Sequence, residues 1–449
     1  MKKIFQYIML AVVTIVMASC TSDIEETTAT TGKSNVQLVV GEFPAFGDSQ
    51  TRAIGTPDEG KTSWAVGDEL LLEIDNTHYG RHSATFTYNG KSWELTSGEL
   101  VYREGDPAYI PHVYYAPNYK WEAGKLVLKE GKDPGTDEYI EGNARITGNG
   151  ETITVSFAGA TRKYSRLRIA TLPNEQITVD TEYFTPAGSS DMEQNGNYTL
   201  TSDEKGNAYL YGTFENNSEV TVKYREAALT TYTFSQATES AKSYALDATV
   251  ISANSAEEIK SAIEQKVADG KTTIRLNLAP NAGTNEFMAI REAIKGAAPN
   301  DLGTIELTII GVETIPEEAF YKMLQLKSVR MSDVKEIKKY AFKECQYLTV
   351  VEAPSLNKLC SGAFKKCDQL AKLTFGPINY ADERNWPIFE YITPNIDLIL
   401  SDYQKEMIET DSYLYTANND RDYAGSDEHN SKNFLGREFR SITCRYKVK

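Results

Sequence analysis

The residues of this 449-residue chain whose types could do chemistry are few and scattered. Beyond Cys20, the cysteines Cys345, Cys360, Cys367 and Cys444 form no Cys-x-x-Cys pair, so the usual zinc spacing is missing. Cys345 and Cys367 share one position of an internal repeat. Stacked strands lie about 4.8 Å apart, which would bring these two within disulfide reach or leave them as buried thiols behaving as small hydrophobes. Of the histidines His78, His82, His112 and His429, only His78 and His82 could share a loop, without further ligands nearby. Asn418, Asp420 and Asp422 are spaced as a calcium loop begins, yet Tyr423 holds the sixth place and His429 the twelfth, where Gly and Glu are needed. The chain has no His-Glu-x-x-His, no Gly-x-Ser-x-Gly and no phosphate-cradling glycine loop. Paired carboxylates distant in sequence stay open. The expectation is a non-enzyme without metal or cofactor.

The elements that position these cysteines repeat. Phe320, Phe342 and Phe364 lie 22 residues apart, each preceded by Ala. Ile315, Ile337 and Leu359 keep that interval, as do Leu326, Leu348 and Leu370, then Val329, Val351 and Leu373, and Val334, Leu356 and Ile378. Met323, Cys345 and Cys367 form a sixth column, and Leu307 carries the register back one period. A fixed period of this length predicts a solenoid of leucine-rich coils, each burying its apolar side against the next. The pattern Ala-Phe-x-x-Cys-x-x-Leu resembles the BspA-like leucine-rich repeats of bacterial surface proteins over about Ile315 to Ile378. The stretches after Asn395 and at the C-terminus resemble that family's closing strands.

Ahead of the repeats, Ser255 and Glu258 predict a capping box opening one helix, with Ile259, Ala262, Ile263 and Val267 on one face. Thr284 is expected to cap a second, with Phe287, Ile290 and Ile294 aligned; strands TTIRLNL and TIELTII alternate with them. With Val329 and Met331 inward, the outward row of the coils is Glu306, Thr308, Ser328, Arg330, Val350, Glu352, Lys372 and Thr374. Arg330 should pair with Glu352. Eleven Lys and Arg against seven Asp and Glu from Ile315 to Ile378 make the repeats mildly basic. The row reads either as a solvated sheet face or as a docking surface for a protein or glycan.

A net charge of -16 argues against nucleic acid as a partner. No apolar run reaches the ~20 residues of a transmembrane helix. The N-terminus is a secretory signal, with Lys2 and Lys3 before an apolar stretch from Ile8 to Met17. Met17-Ala18-Ser19-Cys20 resembles the lipobox of bacterial lipoproteins, which implies a lipid-modified Cys20 as membrane anchor. Ser22-Asp23-Ile24-Glu25-Glu26 resembles the acidic tag that sends some lipoproteins to the outer face of the outer membrane. Thr21 to Ser34 reads as a flexible tether.

From Val36 to Ser252, short strands such as DELLLEI, SATFTY, ETITVSF, SRLRIAT and SEVTVKY alternate with turns, predicting one or two β-sandwiches. Asn89-Gly90 is expected to make a type I′ hairpin. The stretch from Thr51 to Ile74, with VYYAPN and VSFAGATRKYSRLRI after it, resembles fimbrillin-like proteins over roughly 200 residues. That resemblance implies two β-sandwiches, a role in or descended from surface fimbriae, and Arg52 as a site of proteolytic processing that opens a groove for strand exchange.

The expected organisation is a signal peptide (1–19), a tether (20–35), two fimbrillin-like β-sandwiches (36–150 and 151–252) and a leucine-rich-repeat domain (253–449) with a helical N-terminal cap and a β C-terminal cap. The expected class is mainly β with a small α/β part. Three functions fit. The first is a lipid-anchored adhesin whose repeats bind a host, matrix or cell-surface partner. The second is an accessory or tip subunit of a fimbria. The third is a glycan-capture lipoprotein with Trp64, Trp93, Trp121 or Trp386 as platform.

Overall fold

In a computed structural model of the chain, the structure describes residues 37–44, 46, 61–78, 80–99, 108–147, 152–157, 162–253, 255–382, 387–393, 395–404, 433–435 and 437–446. The signal peptide, Cys20, the tether, Arg52, Trp386, the Asn418–Glu428 stretch and His429 lie outside these residues. The described chain is mainly β, with two helices.

The first sheet runs Gln37–Val40, Thr152–Ser156, Ile140–Thr147, Ala108–Tyr115, Glu69–Asn76, Gly80–Tyr88, Trp93–Gly98. Strict alternation explains its central strand: Leu70, Leu72 and Ile74 enter one core with Phe86, Trp93 and Val113. Leu71 faces the other way into a small cluster with Ala116 and Tyr119. Strand Ile140–Thr147 changes partner midway, pairing with Ala108–Tyr115 up to Gly142 and with Thr152–Ser156 from Asn143. The hairpin at Asn89 forms, but not as a type I′ turn. Gly90 alone has positive φ (95°), and the Asn89 side chain closes a four-residue loop by accepting from the amides of Lys91 and Ser92.

The expected boundary after residue 150 is corrected by the ladder. Thr152–Ser156 completes the first sheet, because Ile153 and Val155 enter its core. The second sheet starts at Ser165 and runs Ala227–Thr233, Glu219–Tyr224, Gln176–Pro186, Asn207–Phe214, Ser165–Ala170, Ser243–Asp247, with Glu193–Thr201 also on Gln176–Pro186. Tyr183, at φ 49°, marks where Gln176–Pro186 leaves Glu219–Tyr224 and joins Asn207–Phe214. The two sheets meet around a buried pair. Arg162 donates twice to Glu138 (3.0 Å each), Tyr164 donates to the same carboxylate at 2.6 Å, and Phe46 lies beneath the guanidiniums of Arg162 and Arg166.

The third sheet is parallel throughout: Ile251–Ala253, Thr273–Leu278, Ile305–Ile310, Leu326–Met331, Val350–Ala353, Lys372–Phe375, Asp397–Ser401, Ser441–Tyr446. It opens at Ile251, two residues before the expected boundary, since Ile251 already pairs with Leu276. Helix α1 (Ala256–Ala268) is capped by Ser255, which accepts from the Glu258 amide at 3.2 Å. Helix α2 (Thr284–Ala297) is capped not by Thr284 but by Gly283, whose amide donates to Glu286 at 2.8 Å. Thr284 is already the first helical residue.

A second parallel ladder, Thr314–Ile315, Glu336–Ile337, Lys358–Cys360, Tyr380–Asp382, forms another side of each repeat. Between the ladders the phenylalanines pile up. Phe320 to Phe342 is 5.1 Å and Phe342 to Phe364 is 5.4 Å, both pairs near-parallel. Phe389 adds a fourth ring at 5.7 Å. Phe287 of α2 closes one end edge-on and Phe439 the other. The turns beside this column take left-handed residues at one interval, Glu318, Tyr340 and Gly362, then Lys322, Glu344 and Lys366. Only Gly362 has the residue type suited to it, and a Cβ there would fall 2.5 Å from the Tyr340 ring.

Candidate docking face

Alternation in the parallel strands puts Leu307, Ile309, Val329, Met331, Val351 and Leu373 into the core and sends the residues between them outward. The ladder registers align two outward rows. One runs Thr273, Glu306, Ser328, Val350, Lys372, Asp397, Ser441; the other runs Arg275, Thr308, Arg330, Glu352, Thr374, Ile399, Thr443. All eight residues expected on this face therefore stand in two files. Asp397, Ile399, Ser441 and Thr443 extend them beyond the sequence reading, which lost register where the interval lengthens from 22 to 25 between Phe364 and Phe389.

The face is not uniformly open. Thr308 and Ser328 are buried, 4% and 8% exposed, where solvated positions were expected. The cause is the second sheet. Ile310, next outward after Thr308, belongs to that sheet's apolar cluster with Leu229, Ala227 and Val222. Arg275 donates to the Leu229 carbonyl at 2.5 Å and lies 4.0 Å from Asp247. Burial holds the Arg275 guanidinium below its usual range against the pull of Asp247, and nearby Arg330 adds to the lowering. Lys266 of α1 also reaches Thr249, at 2.6 Å.

Past this cover the face carries paired charges. Arg330 Nε donates to Glu352 at 2.9 Å, with Lys372 4.0 Å from the same carboxylate. Lys327 meets Glu306 at 2.8 Å, and Arg440 meets Asp397, which also accepts from Ser441 at 2.7 Å. Val350 and Ile399 are half-buried among these pairs. The arrangement is an ordered polar surface with two apolar spots.

Cys345 and Cys367 form no disulfide. Cys345 donates its thiol to the Phe320 carbonyl at 2.9 Å, and Cys367 to the Phe342 carbonyl at 3.0 Å. Each thiol thus ties its repeat to the one before, a bond that neither the disulfide nor the small-hydrophobe alternative for this column included. Burial pushes the Cys345 thiol up to about 12 and Cys367 well above the ordinary value. Both are fully buried.

Two of the four tryptophans proposed as a platform, Trp64 and Trp93, are drawn into the first core, and Trp386 lies outside the described residues. Trp93 is 2% exposed and stands edge-on to Trp64, whose indole donates to the Gly41 carbonyl at 2.8 Å; both serve the first core. Trp121 is half-buried against Tyr114. Among the described residues no three of His, Cys, Asp or Glu are grouped to hold a metal ion, and no helix is long and apolar enough to cross a membrane. His112 lies between Glu141 (3.1 Å) and Glu73 (3.8 Å) on the open surface of the first sheet.

Comparison with known proteins adds one finding. No curated protein and no solved structure matches the chain. The model of the BspA type leucine rich repeat region matches residues 301–404, in six copies. Those residues, with their stacked phenylalanines and parallel strands, are a BspA-type leucine-rich repeat region.

Proposed function

We propose that the chain is a surface-displayed recognition protein, anchored by a lipid on Cys20, whose repeats dock a protein of another cell or of the surrounding matrix. In this reading the two sheet units are fimbrillin-like β-sandwiches that hold the repeats away from an outer membrane, and the chain performs no catalysis. The docking surface is the free part of the strand face, from Arg330 and Val350 to Lys372 and Thr374.

One observation carries the reading. The covered end of the same face already seats a folded β surface, through Ile310, Thr308 and Arg275. The open end has the same make-up: charges held in fixed positions by neighbours, with Val350 and Ile399 between them. Ordered charges around small apolar spots suit a protein interface, since they set register and suppress wrong partners. The repeat type is consistent with surface adhesion or protein binding.

The test is adhesion of cells displaying the whole chain to matrix-coated and cell-coated surfaces. Arg330→Glu with Lys372→Glu should reduce adhesion at least tenfold, and Cys20→Ala should release the protein from the membrane fraction. Undiminished adhesion by the charge-reversed chain would remove the strand face from consideration.

A further inference from the structure

A second surface lies on the turn side of the repeats, away from the strand face. There α2 and three successive turns bring cations together. Arg291 donates to the Glu318 carbonyl at 2.9 Å, and Lys295 to the Tyr321 carbonyl at 3.5 Å. Lys322 and Lys343 lie 5.1 and 5.0 Å from the centre of the Tyr321 ring. Lys343 also lies 4.8 Å from the Tyr340 ring, and Lys339 takes the same distance. Lys366, one interval beyond Glu344, continues the band in the exposed left-handed position of the next turn. The carboxylates on this side include Glu317, Glu318, Glu344, Asp368 and Glu390; Glu344 pairs with Lys322 at 3.5 Å and lies 3.8 Å from Lys343, and Glu390 pairs with Lys365 at 2.6 Å while its carbonyl accepts from the Lys366 amide.

Beside α2 the cations crowd one another, whereas Tyr321 and then Glu344 favour the charged form of Lys322. The Lys295 ammonium is held below its usual range by burial first, and then by Arg291 and Lys322. The chain as a whole carries -16, so an excess of cations here is a local feature and not a consequence of composition. Each ring fixes ammonium groups at its face, where cation–π attraction is about 0.5–1 kcal/mol at exposed sites. The faces of Tyr321 and Tyr340 are thereby occupied. That leaves charge and hydroxyls in a line, without the deep apolar anchors on which protein interfaces concentrate their energy.

We propose that this turn-side band binds an acidic polysaccharide, one whose carboxylate or sulfate groups run along the repeat axis and meet Lys322, Lys339, Lys343 and Lys366 in turn. The site goes beyond the strand-face reading and stands without it. Regularly repeated charge on the ligand matches cations supplied at each turn of the repeat.

The experiment measures binding of the whole chain to dextran sulfate, polygalacturonate, neutral dextran and polyglutamate by calorimetry at two salt concentrations. Expected are saturable binding to the first two that weakens with salt, none to neutral dextran, and at least tenfold weaker binding to polyglutamate. Lys339→Gln with Lys366→Gln should weaken polysaccharide binding at least tenfold while leaving the unfolding midpoint unchanged. Arg330→Gln with Lys372→Gln, on the strand face, should leave it intact. Equal loss from the strand-face pair, no loss from the turn-side pair, or equal affinity for polyglutamate would overturn the proposal. If the turn-side pair fails to fold, Lys366→Glu alone, at an exposed position, replaces it under the same criterion. Undiminished adhesion by the charge-reversed strand face, with polysaccharide binding lost only in the turn-side pair, would sink the strand-face reading and leave this site supported, because the two surfaces are separate.

Discussion

The rings of Phe342 and Phe364 lie 5.4 Å apart and 5° from parallel, one repeat upon the next. Near-parallel rings at this separation are offset along the column, one of the arrangements that aromatic quadrupoles accept. The backbone imposes it, because a parallel ladder carries each residue to the same place one strand spacing on. The column is therefore held by burial and by the ladders on either side, and the edge-on rings of Phe287 and Phe439 finish its two ends.

Truncating the middle of that column should be costly. Phe342 is fully buried between two rings, and Phe→Ala in a core costs about 3–5 kcal/mol. Phe342→Ala is expected to fall in that range and Phe342→Leu well below it, by denaturant unfolding followed by circular dichroism. A loss below about 1 kcal/mol for the alanine would mean that the column is not what holds the repeats together.

The buried thiols make the repeats sensitive to alkali. Cys345 is raised by burial to about 12, whereas an unfolded cysteine titrates near 8.5. A raised folded pKa means that the folded state keeps the proton longer. The stabilisation is complete below about pH 8.5 and is lost progressively as pH rises toward 12. Wild-type stability should fall across that window, and Cys345→Ala should lose less of its own stability over the same range. Iodoacetamide at pH 8 should spare Cys345 and Cys367 in the native protein and modify both once it is unfolded.

Much of the repeat architecture was legible because its signal is a period. Phe320, Phe342 and Phe364 declare one interval, and the inward and outward parity of the strands followed from it. The fourth repeat was missed since three added residues move Phe389 off that interval, although Ile388-Phe389 and Leu398 stand where Ala363-Phe364 and Leu373 do. The left-handed turn positions escaped notice because Glu318, Tyr340, Lys322 and Glu344 carry no residue type that announces positive φ. The cover over Thr308 and Ser328 was illegible for another reason. It depends on which surface of the second sheet meets Ile310, and no local pattern encodes that meeting.

The joint between the first two sheets rests on a buried ion pair. Glu138 and Arg162 are each 3% exposed, and Tyr164 shares the carboxylate. Removing one charge from such a pair costs about 3–5 kcal/mol, because the other is left buried and unpaired. Glu138→Ala should show that loss in thermal unfolding of the whole chain. Replacing both partners by apolar residues, Glu138→Leu with Arg162→Met, should recover a good share of it. A double replacement as damaging as the single would show that the charges themselves are not at issue.

The Arg330–Glu352 pair is a different case. Both side chains are partly exposed, so solvent screens the attraction, and pairs of this kind contribute about 0.2–1 kcal/mol. A double-mutant cycle with Arg330→Ala and Glu352→Ala should give a coupling in that range that shrinks with added salt. A larger coupling, insensitive to salt, would argue that the face is drier than its exposure indicates.

Ile310 offers the sharpest separation between a face that is free and one that is covered. Its side chain is fully buried, yet it points out of its own sheet and into the apolar cluster of the neighbouring one. Deleting it removes contacts from the joint alone, since the repeat core lies on the opposite side of the strand. Ile310→Ala should therefore cost about 2–5 kcal/mol and should split a single unfolding transition into two in calorimetry, as the second sheet and the repeats lose their common boundary. A reporter makes the geometry visible directly. Thr308→Cys, 4% exposed as threonine, should resist maleimide in the parent background and react once Ile310→Ala loosens the cover. Equal labelling in both backgrounds would mean that the second sheet does not seat on this face in solution. The free stretch from Arg330 to Thr374 would then have no neighbour to be compared with.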